Sequence, residues 1–229
     1  MSDDLTQNDA LRRLYTDPAE FIDSDDPGVI AFAREVVGDA ADDKTKAIRL
    51  FDAVRDRIRY NPYVDMDTPE TFRASRVLAA GNGYCVGKAA LYAAACRAVG
   101  VPARVGFADV RNHLSTEKLT ESMGTDLFAW HGFSEVWLDG AWRKASPTFN
   151  ATLCQKLGVD VLDFDGEHDS LLHPYDGAGR AYMRYERQHG AFADVPAKFI
   201  AREMARTYPR MNGADRTGRD MEAEAEARA

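Results

Sequence analysis

Residues 81–100 read GNGYCVGKAALYAAACRAVG, and no other stretch restricts the fold as strongly. Ala89, Tyr92, Ala93, Cys96 and Val99 recur at helical spacing on one face, and Gly100 closes the segment. So many alanines let a helix approach a neighbouring layer closely, so this helix is expected to lie directly on a sheet. Lys88 and Arg97 are expected to face water. Cys85 stands at the helix start, where unpaired N–H groups and the helix dipole favour a thiolate. With a charged partner nearby, a thiol so placed can titrate at about 3.5–7.5.

The flanking segments supply the layers. Asp26 followed by Pro27 is an N-cap signal for PGVIAFAREVV. DDKTKAIRLFDAVRDRIRY carries Ala47, Ile48, Phe51, Val54 and Ile58 on one helical face, and ASRVLAA reads as a further short helix. After Val101-Pro102 the pattern changes. ARVGFADV reads as a strand, and FSEVWLDGAWRKAS as two strands around Asp139-Gly140, a pair favoured in tight hairpins. The polar stretch 111–129 is expected to be a long connection that covers part of a groove. Beyond residue 150 the signals weaken to an irregular loop, a helix around VPAKFIAREMARTY, and a charged tail expected to be frayed or disordered. The domain reading is 1–41 as an N-terminal helical extension and 42–150 as the core. Residues 151–212 pack on that core, and 213–229 form the tail.

A net charge of −8 argues against a general affinity for nucleic acid or anionic membrane. No apolar run reaches the roughly 20 residues that span a bilayer. The N-terminus lacks a signal-peptide core, and three cysteines cannot all pair within one chain. A cytoplasmic location with free thiols is the expectation.

Cysteine catalysis requires a nucleophile, a base from a separate rigid element, and donors for a developing oxyanion. Cys85 supplies the first, and its own N–H is a candidate for the third. His131 opens the strand leading into FSEVWL and is the best-placed base. Taken singly, each residue is more simply read as packing, and Cys96 and Cys154 are read as core. His113, His168 and His173 fit less well. A metal reading of His168 and His173 with the neighbouring aspartates matches no strong template.

The combination resembles the transglutaminase-like superfamily of papain-fold cysteine enzymes. FDAVRDRIRY, RASRVLAAGNGYCVGKAALYAAACRAVGVPARVG, HGFSEVWLDGAW and RKASPT follow the family order over roughly residues 45–150. The resemblance implies an α+β fold with a nucleophile helix packed on an antiparallel sheet. It implies Cys85 as nucleophile and His131 as its base, with no metal or organic cofactor, acting on a peptide or protein carboxamide through a thioester. Hydrolysis or deamidation is favoured over cross-linking. Where the family places an aspartate to orient the imidazole, this chain has Ser146. Either Ser146 takes that role or Asn150 supplies it, as asparagine does in papain-like triads. A weakened site that serves as a peptide-binding module is the alternative. The family tryptophan after the histidine is also absent: Trp130 precedes His131 and Gly132 follows it.

Overall fold

The computed structural model describes residues 5, 8–112, 116–171, 183–211 and 219–227. Helices α1 (Asp9–Leu14), α2 (Pro27–Val37) and α3 (Asp43–Arg57) lead to a two-residue strand β1 (Arg59–Tyr60). After α4 (Ala74–Ala80) and β2 (Asn82–Gly83) comes α5 (Cys85–Ala98). Strand β3 (Ala103–Asn112), helix α6 (Glu117–Met123), and strands β4 (Leu127–Leu138) and β5 (Ala141–Ala145) follow. The chain continues through α7 (Ala151–Leu157), β6 (Met183–Phe192), α8 (Ala197–Thr207) and α9 (Met221–Glu226). The larger sheet is antiparallel, in the order β5-β4-β3-β6.

Local chemistry sets most boundaries. The Asp26 carboxylate accepts from the Gly28 and Val29 N–H groups and starts α2, while Asp42 accepts from Thr45 N and starts α3. Gly81 ends α4 at φ 64°, a left-handed conformation that costs a glycine nothing. Asp139 and Gly140, at φ 51° and 80°, form the tight turn between β4 and β5.

α5 packs on β3 and β4 with one face and on α2, α3 and α4 with the rest, so every residue from Cys85 to Arg97 is buried. This overturns the expectation that Lys88 and Arg97 face water. Neighbouring helices cover the outer face, and buried carbonyls meet the charges there. Lys88 Nζ donates to the Arg55 and Ile58 carbonyls at 3.0 and 2.5 Å, closing the C-terminus of α3. Arg97 donates to the carbonyls of Asp17, Ala103 and Ala193, tying three distant segments together. A charged hydrogen bond contributes about 1.5–3 kcal/mol, so the three made by Arg97 offset much of its desolvation, whereas burial still pulls Lys88 down to about 7.

Three further expectations change. The connection 111–129 is shorter than read, because β3 and β4 keep pairing to Arg111↔Leu127 and α6 fills part of the gap. β6 was not predicted from the sequence: it is an edge strand with only Met183 fully buried, so its sequence lacks apolar alternation. The tail expected to be disordered holds α9, with Met221 and Ala225 buried against the rest of the chain. Its carboxylates make that possible. Glu222 accepts from Asn150 and Thr152, and Glu224 from Tyr63 and Thr116. The segment 161–171 lies over the core, with the Phe164 ring 5.5 Å from Phe51.

Candidate active site

Cys85 is the first residue of α5, directly after the N-cap Tyr84. Its sulfur accepts a hydrogen bond from Gly132 N–H at 3.5 Å, so the thiol rests against the peptide that follows His131. Gly132 is what permits this approach. A Cβ there would stand 2.8 Å from Val86 Cα and 3.1 Å from Val86 N, so any side chain would push the start of α5 off β4. Ser134, two residues on, adds a second tie by donating to the Ala89 carbonyl. The β5 pairing begins only at Ser134, which leaves the β4 edge beside Gly132 open to the thiol.

The site is dry. Cys85 is 1% exposed and His131 4%. Burial pushes the thiol up to about 11, against the downward pull of Gly132 N–H, the Tyr84 hydroxyl and the amides of the helix start. Burial alone pulls the His131 imidazole down to about 4. Burial thus disfavours the charged form of both groups, which works against the expected thiolate. One amide contact and a helix start do not outweigh the removal of water from both ions.

His131 Nε2 is buried and has no hydrogen-bond partner among the described residues, and the ring stands edge-on to Tyr185. The hydrogen bonds of the two proposed third members run to other groups. Ser146 Oγ pairs with Thr148 Oγ1 at 3.0 Å. Asn150 is fully engaged elsewhere: its oxygen accepts from Tyr60 N, and its amide donates to Thr152 and Glu222. Both residues lack the negative charge that would draw an imidazole N–H.

Cys96 and Cys154 are buried free thiols, each pushed up by burial. His168 is exposed and bonds the Asp165 carboxylate within one turn. Among the described residues no group of three or more His, Cys, Asp or Glu side chains converges as a metal ion requires. His113 and His173 lie outside the described residues.

Two features escaped the sequence. Tyr208, at the end of α8, accepts from Ala129 N at 2.6 Å and donates to the Leu127 carbonyl at 2.8 Å, bracing β4 upstream of His131. Asp109 accepts from Trp130 N–H and from His189, whose ring stacks on the Trp130 indole. No local pattern announces either one, because each joins strands or helices far apart in the chain.

Residues 30–147 match the sequence pattern of the transglutaminase-like superfamily. The chain belongs to that superfamily. Its match takes in α5, β3, β4 and β5, and with them Cys85, His131 and Ser146. In fold the chain is also similar to the crystal structure of a candidate cysteine protease from Cytophaga hutchinsonii, with a TM-score of 0.55 and 17% identity. That likeness covers 86% of this chain and 52% of the other, so this member of the superfamily spans about half the length of its structural neighbour. No curated protein matches the chain. Among the described residues, no helix is long and apolar enough to cross a membrane.

Proposed function

We propose that this transglutaminase-like domain is a cysteine enzyme acting on a carboxamide, a peptide bond or a glutamine side chain, with Cys85 as nucleophile and His131 as base. The observation that carries the reading is the Cys85 sulfur seated against the peptide N–H that follows His131. It supports the reading because the thiol touches the backbone next to His131, in a chain of this superfamily.

His131 takes the thiol proton as sulfur bonds to the carbonyl carbon. The carbonyl electrons move to oxygen, toward the N–H of Cys85 at the start of α5. As the C–N bond breaks, His131 returns the proton to the leaving amine, and a thioester remains on Cys85. Water, deprotonated by the same imidazole, then releases the acid. Hydrolysis or deamidation is favoured over cross-linking.

Burial pushes the Cys85 thiol up and the His131 imidazole down, so both oppose proton transfer at rest, and contact with substrate and water would ease both shifts.

The test is covalent trapping by a glutamine-analogue or peptide electrophile, read by mass spectrometry of the intact protein. One adduct is expected on Cys85, none in Cys85→Ala, and slower trapping in His131→Ala. An adduct on Cys96 or Cys154 refutes the assignment. A second reading, a peptide-binding module, draws on the unpartnered His131 ring and on Ser146 bonded to Thr148. Reversible peptide binding without any adduct favours it.

A further inference from the structure

Resting on the assignment of His131 as the base, we propose that Asp109, held in place by His189, is the positioning residue for that base, acting through the Trp130 peptide and not through the imidazole. Trp130 is at φ 56°, a left-handed conformation that bulky side chains rarely adopt and that costs about 1–3 kcal/mol. It immediately precedes His131, so its backbone angles decide where the next peptide and the next side chain go.

Several contacts hold Trp130 there. Its N–H donates to Asp109 Oδ1 at 3.0 Å. The same oxygen accepts from His189 Nε2 at 2.7 Å, and the His189 ring lies 4.0 Å from the Trp130 indole at an interplanar angle of 9°. Phe199 closes the far side of the indole edge-on at 4.9 Å. Asp109 sits where the pairing of β3 slips against both neighbours, between Ala108 and Val110 on the β4 side and between Asp109 and Val110 on the β6 side. Such bulges re-aim side chains, and here the slip turns a carboxylate toward a backbone donor.

The arrangement answers a question left by Ser146. This chain has a serine at the third position, and among the described residues no carboxylate bonds His131 Nε2. It does have one, backed by a second histidine, one peptide away. If Asp109 lets go, Trp130 relaxes to negative φ, the following peptide rotates, and the Gly132 N–H leaves the Cys85 sulfur. A displacement on the order of 1 Å at a reacting group can cost up to about 100-fold in rate.

The experiment uses the full chain and separates binding of the electrophile from the rate constant of trapping. Asp109→Ala is expected to lower the rate constant at saturation about tenfold, with the apparent binding constant within about twofold. Asp109→Asn, which keeps an acceptor oxygen, should recover most of the rate. His189→Gln should fall between them. In parallel, the His131 ring resonances and the Trp130 amide exchange rate are followed by NMR. Asp109→Ala should shift the former and accelerate the latter. An unchanged rate constant together with unmoved His131 resonances overturns the proposal, and so does an effect confined to the binding constant. If the wild type is never trapped, the enzyme reading fails by itself, and the His131 resonances decide the positioning role alone. Should Asp109→Ala not fold, Asp109→Asn and His189→Gln carry the same readouts.

Discussion

Two imidazoles stand on the strands that flank β3, and they are treated in opposite ways. His189 on β6 has a carboxylate at 2.7 Å and an indole stacked on its face. His131 on β4 has a buried nitrogen with no partner among the described residues, and burial disfavours its protonated form. The first belongs to the frame; the second is left available for the role proposed for it. An imidazole locked to a carboxylate and a ring fixes its surroundings, whereas a buried one whose Nε2 has no described partner keeps that nitrogen open to take up a proton. Ordinary structural economy would have satisfied both, and burying a polar atom without a partner costs about 1–3 kcal/mol.

The largest effect expected is the loss of that available base. His131→Ala should slow trapping of Cys85 by about 10²–10⁴-fold, the usual share of general acid–base help, while Cys85→Ala abolishes it. Equal rates in His131→Ala and wild type would erase the distinction between the two rings.

The contrast can be sharpened by giving His131 what His189 has. Ser146→Asp places a carboxylate where the family keeps one. It should raise the His131 titration point from about 4 toward its ordinary value and speed trapping, by about tenfold for each 1.4 kcal/mol gained. NMR titration of the ring reads this directly. No upward shift would mean that residue 146 does not face the ring.

Acid should separate the rings as well. The folded His131 titrates near 4 and an unfolded histidine near 6.5, so between those values the unfolded chain binds the extra proton. Its contribution is complete above pH 6.5 and lost as pH falls through 4, for a total of roughly 3 kcal/mol. Denaturant midpoints measured from pH 7 to pH 4 should show this slope in wild type and a reduced slope in His131→Phe.

Gly132→Ala should destabilise the fold by about 1–3 kcal/mol, because its Cβ meets the backbone of Val86. The smallest effect belongs to the outer frame. Phe199 is half exposed, and Phe199→Ala removes one edge-on ring contact with Trp130, worth about 0.5–1.5 kcal/mol. Trapping should stay within about twofold of wild type, since Asp109 still holds the peptide.

Reading the chain as a sequence reached the parts governed by neighbours in sequence. The caps at Asp26 and Asp42, the turn at Asp139-Gly140, the apolar face of α3 and the nucleophile helix all follow from local rules, and the structure contains each of them. Cys85 and His131 were picked out for the same reason, one at a helix start and the other at the head of an apolar strand. Lys88 and Arg97 were misread because the helices that cover them arrive from elsewhere in the chain. β6 and α9 were missed for a related reason, since each is held by partners rather than by a pattern of its own.

The sequence by itself therefore determined the helix that carries the thiol, the hairpin that carries the imidazole, and the absence of an aspartate at residue 146. Only the tertiary structure decided that Cys85 and His131 are both buried, and that the residue before His131 is tied to a carboxylate on β3. Those outcomes depend on solvent exclusion and on hydrogen bonds between residues tens of positions apart. Both are properties of the packed chain, and short-range spacing carries no information about them.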